Sequence, residues 1–298
     1  MNDKNCLILG YGEMGHAFEV LLQGRWPYTI WTRRGEAGTT ADLADAAAKA
    51  EFVVFCLPVV AHEAVARQLA DCLPRQAICV SIAKGLDEQG RPAEAILREY
   101  LPDHPHALMY GPMISEEIRA GRPGFAQLGT RSRADYDAVA ALFSGSHLGL
   151  QPSGDIVGIS WAVILKNVYA ILFGVADEMG LGDNMRGYLM VTALQELSRI
   201  VVGKGGDAHT SFGMAGLGDL TTTATSEASH HHSLGRCLAG DYCKTVSGEG
   251  VHTLQMVEHH GLINSGEYPL FALAQAIIQH QGQTAALMRD YLQRLQGS

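Results

Sequence analysis

The segment Gly10-Tyr11-Gly12-Glu13-Met14-Gly15 spells G-x-G-x-x-G, and it stands directly after the apolar run Cys6-Leu7-Ile8-Leu9. Residues 13–23 follow with helical periodicity, placing Met14, Phe18, Leu21 and Leu22 on one side. A strand that runs into this turn and opens a helix is the context in which the motif carries meaning. The first glycine permits the tight turn, the second lets a pyrophosphate approach the backbone, and the third allows close helix–strand packing. The helix N-terminus then attracts phosphate. Gly10, Tyr11, Gly12, Glu13, Met14 and Gly15 are therefore expected to line a dinucleotide site. Glu13 is unusual there, because a carboxylate repels phosphate unless it is turned away.

The alternation continues downstream. Strand-like runs fall at residues 28–31, 52–57 and 77–82, and helical patterns at 39–50, 59–72 and 92–100. Further strand candidates lie at 106–110 and 124–129. Short apolar runs separated by helices indicate parallel strands joined by crossovers. Beyond the cluster Gln151-Pro152-Ser153-Gly154 the texture changes, and residues 157–180, 186–203 and 270–295 read as long helices. The expected fold class is an α/β Rossmann-type doubly wound sheet plus an all-α C-terminal domain, with residues 1–153 binding the dinucleotide and 154–298 forming a helical substrate domain.

Composition narrows the function classes. The 47% apolar content is enough for a sizeable core, and the net charge of −9 argues against a broad basic face for nucleic acid or anionic membrane. No stretch is expected to reach membrane-span length, and the N-terminus lacks the ordered regions of a secretory signal. Cys6, Cys56 and Cys79 lie in apolar runs, as buried thiols of a cytoplasmic protein would. Cys237 and Cys243 are spaced so that they can pair, but nothing in the sequence requires it.

Residues suited to chemistry stand at the ends of these elements. An NAD site usually carries an acid after the second strand, whereas this chain reads Trp31-Thr32-Arg33-Arg34. Two arginines suit a 2′-phosphate, so the expected cofactor is NADP, with NAD possible. Hydride transfer to a carbonyl also needs a proton carrier and orienting groups. Lys84, in Ala83-Lys84-Gly85 after the fourth strand, and Lys166, in an apolar helical stretch, are the candidates. Asp219, in Gly216-Leu217-Gly218-Asp219-Leu220, is either a site carboxylate or a helix N-cap. Asn167 either binds substrate or satisfies a buried carbonyl.

Several spaced motifs together resemble the NAD(P)-dependent glycerol-3-phosphate dehydrogenase family across nearly the whole chain. They are the glycine motif, Cys56-Leu57-Pro58, Ala83-Lys84-Gly85, Gly111-Pro112-Met113-Ile114-Ser115-Glu116-Glu117, Leu165-Lys166-Asn167-Val168 and Ala215-Gly216-Leu217-Gly218-Asp219-Leu220, in family order. The resemblance implies an oxidoreductase that interconverts dihydroxyacetone phosphate and sn-glycerol 3-phosphate. It implies Lys166 as acid/base, with Lys84 and Asp219 completing the catalytic set. Lys84 would orient the substrate and polarise its carbonyl, and would also border the cofactor. Asn167, Thr223 and Gly111 would contact substrate; Pro58, Ser115 and Glu249 would contact cofactor.

The chain departs from that family at one place. Where members carry Ser-Arg-Asn-Arg for the substrate phosphate, this sequence reads Ser229-His230-His231-His232. Ser229, His230 and His231 are the expected phosphate partners, yet imidazole is a poorer partner than guanidinium. Two alternatives follow: an NADPH-dependent reductase of a non-phosphorylated 2-oxo compound, of ketopantoate-reductase or opine-dehydrogenase type, or a non-catalytic NADP(H)-binding sensor. Consecutive histidines do not share a helix face, so no metal is expected, and the segment reads more simply as a polar loop. The expected partners are a small-molecule substrate and a second copy of the chain in a homodimer.

Overall fold

The computed structural model describes residues 5–226 and 229–296. Residues 1–4, on which the reading of the N-terminus partly rested, and residues 227 and 228 of the Thr/Ser-rich segment lie outside them. The chain divides into two compact units, one up to Ser160 and one from Trp161.

The first unit is built on β1 (Asn5–Leu9), α1 (Glu13–Leu22), β2 (Tyr28–Trp31), α2 (Leu43–Ala48), β3 (Ala50–Phe55), α3 (His62–Leu69) and β4 (Ile78–Ser81). It continues through α4 (Ala93–Tyr100), β5 (His106–Tyr110), α5 (Ser115–Arg119), β6 (Gly124–Thr130), α6 (Arg133–Leu142) and β7 (Leu148–Ser153). The seven strands lie in the order β2-β1-β3-β4-β5-β6-β7. Strands β1 to β5 are parallel, as the alternating pattern predicts, but β6 runs antiparallel to β5. The last strand, β7, pairs parallel to β6 and is absent from the sequence reading. Its residues Gln151 and Pro152 are exposed, so the apolar run that marks a central strand is missing.

Side chains alternate across the sheet. Cys6, Ile8, Phe52, Val54 and Val80 pack with Phe18, Leu21 and Leu22 of α1, Ile118 of α5 and Leu142 of α6. Leu7, Leu9, Val53, Phe55 and Cys79 pack on the other face with Leu43 of α2, Ala66 and Leu69 of α3 and Leu97 of α4. Both faces are covered, which is why these strands read as unbroken apolar runs.

The second unit is helical. Helix α7 (Ile156–Glu178) begins just before it and is followed by α8 (Gly182–Gly203), α9 (Asp219–Thr225), α10 (His230–Ala239), α11 (Glu249–His259), α12 (Pro269–Gln279) and α13 (Thr284–Gln296). Helix α7 corrects one expectation: by length and composition it is apolar enough to cross a membrane, with a mean hydropathy of 1.9 over its best window. Its residues from Gly158 to Ala176 are buried, and the helix is a core element. It meets α10 backbone to backbone. A Cβ on Gly174 would lie 1.9 Å from the His232 carbonyl oxygen, and one on Gly235 1.9 Å from that of Ile171. The segment His230 to Gly235 is thus helical rather than a loop, with the Ser229 hydroxyl capping its start by accepting from the His232 N–H. Cys237 and Cys243 are joined as a disulfide just beyond.

Candidate functional site

The strand order reverses between β1 and β3, which is where open α/β sheets bind ligands, outside the carboxyl ends of their strands. The candidate residues of the first unit leave the sheet at that edge. Gly10 follows β1, Arg33 and Arg34 follow β2, Pro58 follows β3, Lys84 follows β4 and Gly111 follows β5.

The glycine turn tests whether a dinucleotide fits. Gly10 has φ +94°, and a Cβ there would strike the Cys56 carbonyl oxygen at 2.6 Å. Gly15 has the Gly10 carbonyl oxygen 2.4 Å from its Cβ position, so α1 seats directly on the turn. Gly12 alone faces open space, with nothing within 4 Å of its Cβ position. A bare backbone at the start of α1, open to solvent and flanked by packing glycines, suits a pyrophosphate. Pro58, Ser115 and Lys84 border this edge of the sheet; Ser115 opens α5 with its hydroxyl 2.9 Å from Glu116 Oε2.

Glu13 is turned towards α5, where its Oε2 accepts from Arg119 Nη1 at 2.9 Å. The charge that would repel phosphate is thereby paired. Tyr11 spends its hydroxyl on Glu19, donating at 2.6 Å, and this bond holds the phenol pKa up at about 12. After β2, the Thr32 hydroxyl accepts from the N–H groups of Gly35 and Glu36 and folds residues 32–36 into a turn. Arg33 and Arg34 stand exposed on it. Gly111 has a packing reason of its own: a Cβ would lie 2.4 Å from the Phe125 carbonyl oxygen of the neighbouring β6.

In the second unit the sequence candidates converge. Lys166 is 4% exposed on α7. Its Nζ donates to Asp219 Oδ1 at 3.1 Å and to Thr223 Oγ1 at 2.5 Å. The Thr223 hydroxyl in turn donates to the Asp219 backbone carbonyl at 2.7 Å, which leaves its lone pair facing the lysine. Asp219 opens α9 immediately after a π-helical turn, Met214–Gly218, and the residue before it, Gly218, makes no side-chain cap. Its carboxylate accepts from the lysine. Buried ion pairs are weak sources of stability, so the burial of this one points to use.

Asn167 donates through Nδ2 to Glu249 Oε2 at 3.1 Å, tying α7 to the first residue of α11. Its Oδ1 is buried and has no partner among the described residues. An orphaned buried acceptor beside Lys166 is the kind of atom a ligand hydroxyl satisfies.

The histidine segment divides three ways. His230 is exposed on the first turn of α10. The Gly250 N–H donates to His231 Nε2 at 3.2 Å, so this ring caps the start of α11 and presents a lone pair, not a donor, at that nitrogen. His232 is buried, with Nε2 2.7 Å from Asp177 Oδ2. Burial pushes the Asp177 carboxyl up, but hydrogen bonds from Arg186 and His232 outweigh it and hold it below the usual range. Among the described residues no cluster of metal-ligating side chains forms. Sequence reasoning missed the Asn167–Glu249 and His231–Gly250 links, which span 82 and 19 residues and leave no local pattern.

A doubly wound sheet with glycine turn and basic turn at its carboxyl edge, followed by a helical unit holding a buried Lys–Asp pair, defines the class of nicotinamide-dependent carbonyl oxidoreductases. Family models of the NAD-dependent glycerol-3-phosphate dehydrogenase N-terminus and C-terminus match residues 35–134 and 155–289. A glycerol-3-phosphate dehydrogenase [NAD(P)+] of Agrobacterium fabrum is 30% identical over 99% of this chain and 98% of its own length. Another, from Gloeobacter violaceus, is 32% identical over 81% of each. The chain belongs to the NAD-dependent glycerol-3-phosphate dehydrogenase family. Among solved structures, glycerol-3-phosphate dehydrogenase from Coxiella burnetii shares the fold with a TM-score of 0.87 at 21% identity, over 97% of this chain and 98% of that one. A ketopantoate reductase from Ralstonia eutropha shares it more distantly, with a TM-score of 0.59 at 16% identity, over 93% of this chain and 99% of that one.

Proposed function

We propose that the chain is an NADP(H)-preferring, NAD-tolerant oxidoreductase that interconverts dihydroxyacetone phosphate and sn-glycerol 3-phosphate. The observation that carries this reading is the buried Lys166–Asp219–Thr223 constellation. When bound, the nicotinamide supplies or accepts the hydride at the substrate's central carbon. Lys166 gives a proton to the carbonyl oxygen during reduction and takes it back during oxidation. Asp219 and Thr223 accept from its Nζ and orient it for that transfer. Asn167 Oδ1 accepts from a substrate hydroxyl, and Lys84 orients the substrate and polarises its carbonyl. Gly10 to Gly15 hold the pyrophosphate, Pro58, Ser115 and Glu249 contact the cofactor, and Arg33 and Arg34 hold the 2′-phosphate. The enzyme works as a cytoplasmic homodimer; the free thiols of Cys6, Cys56, Cys72 and Cys79 support a reducing compartment, and the Cys237–Cys243 disulfide counts against it.

Lys166→Met is the direct test. Turnover of dihydroxyacetone phosphate is expected to disappear while NADPH affinity stays within about twofold of the parent. Retained turnover would remove Lys166 from the chemistry.

One observation favours a second reading. His231 Nε2 already accepts from Gly250, so that nitrogen does not donate to a phosphate, and His230 stands where the family carries arginine. A smaller, unphosphorylated 2-oxo substrate needs no such partner. Replacing His230 with alanine separates the two, since the loss raises KM only for a phosphorylated ketone.

A further inference from the structure

We infer that His62, Ser81 and Tyr110 are positioning residues, forming a buried hydrogen-bond relay that fixes the backbone from which Lys84 projects. The inference rests on the proposed role of Lys84 in orienting the carbonyl substrate.

The need for such a relay follows from where β4 ends. Ser81 is its last residue and pairs with Phe55, the last residue of β3. Beyond that point the ladder no longer satisfies backbone groups, yet Ile82 and Ala83 remain buried. Buried peptide groups require partners. Here side chains supply them: the Ala83 N–H donates to Ser81 Oγ at 3.2 Å, and the Ala83 carbonyl accepts from the Tyr110 hydroxyl at 2.9 Å. The two peptide groups flanking Ala83 are therefore each held by a buried side chain, immediately before Lys84. Both side chains are fully buried, Ser81 at 0% and Tyr110 at 1% exposure.

The relay extends one step further and acquires a direction. His62 is 0% exposed, its ring 4.9 Å from that of Phe55. Its Nδ1 lies 3.1 Å from the Pro58 carbonyl oxygen and its Nε2 2.9 Å from Ser81 Oγ. A carbonyl only accepts, so Nδ1 carries the proton, and in the neutral ring Nε2 then carries the lone pair. The Ser81 O–H then donates to Nε2, and its oxygen is left to accept from Ala83. Only one assignment satisfies every partner: Ala83 N–H to Ser81, Ser81 O–H to His62, His62 Nδ1–H to Pro58. Burial holds the His62 pKa down at about 4, which keeps the ring in the neutral form this chain of donors demands. The relay ties the turn after β3 to the turn after β4, two segments bearing proposed site residues, Pro58 and Lys84.

The test compares Ser81→Ala, His62→Asn, their double variant, Tyr110→Phe and Lys84→Ala, with kcat and KM for dihydroxyacetone phosphate and Kd for NADPH measured on each. His62→Asn keeps a donor towards Pro58 and removes the acceptor facing Ser81. Ser81→Ala and His62→Asn are each expected to lower kcat/KM about tenfold at unchanged NADPH Kd. The double variant is expected to fall no lower than Ser81→Ala, because the two groups act in series. Parent-like kcat/KM in Ser81→Ala, beside a crippled Lys84→Ala, would overturn the relay, as would an additive double variant or an NADPH Kd that rises in step with the loss. Parent-like activity in Lys84→Ala would instead overturn the role of Lys84, and the relay's purpose with it. Should Ser81→Ala fail to fold, Tyr110→Phe decides: it removes a single hydroxyl, and unchanged kcat/KM there would refute the inference.

Discussion

At the smallest scale, the buried Lys166 ammonium donates to the Asp219 carboxylate and the Thr223 hydroxyl. Lys166 and Asp219 were legible as sequence, because a lysine in an apolar helix and an acid after a glycine run are both out of place. Thr223 was legible only through resemblance, and the pairing of Asp219 with Lys166, 53 residues away, leaves no local pattern. Breaking such a pair on one side leaves an uncompensated buried charge, so Asp219→Asn is expected to cost about 3 kcal/mol in urea unfolding as well as turnover. His62 makes a second prediction at this scale. Burial lowers its folded pKa to about 4, against about 6.5 when unfolded. Below the unfolded value the unfolded chain binds more protons, so this residue's contribution to stability is lost as pH falls from 6.5 towards 4. The destabilisation caused by His62→Asn is therefore expected to shrink by about 2 kcal/mol between pH 7 and pH 5. A pH-independent difference in unfolding free energy would mean the ring is charged or solvated in the fold.

Among elements, the strands with apolar runs and the helices with clean periodicity were readable, and those whose identity depends on neighbours were not. The helix expected at 39–50 shortens to α2 because Ala50 already belongs to β3, buried against β1. The pattern at 270–295 is two helices, interrupted near Gly282 with its φ of +83°. The histidine segment looked like a loop because its polar side chains conceal a helix seated on α7 through bare backbone. That seat is testable. Gly235→Ala would drive a methyl against the Ile171 carbonyl and is expected to cost about 3 kcal/mol in urea unfolding. A variant within about 1 kcal/mol of the parent would show that the crossing has room.

For the whole molecule, the doubly wound plan was legible from alternation alone, while the antiparallel turn of β6 was not, since β6 looks like any other strand in isolation. The plan delivers Gly10, Arg33, Pro58, Lys84 and Gly111 to one edge of the sheet although they are scattered over the first unit. The proposed site of cofactor choice is that edge. Replacing Arg33 and Arg34 together with alanine is expected to raise the Kd for NADPH at least about tenfold and leave NADH binding nearly unchanged. An equal loss for both cofactors would place the arginines elsewhere. The central claim, a reductase of a phosphorylated ketone, is tested most directly by following NADPH absorbance with the purified protein and dihydroxyacetone phosphate, dihydroxyacetone or ketopantoate in parallel. Saturable oxidation with the phosphorylated ketone alone is predicted. Turnover of an unphosphorylated ketone in preference to it, or tight NADPH binding with no turnover of any of the three, would contradict the account.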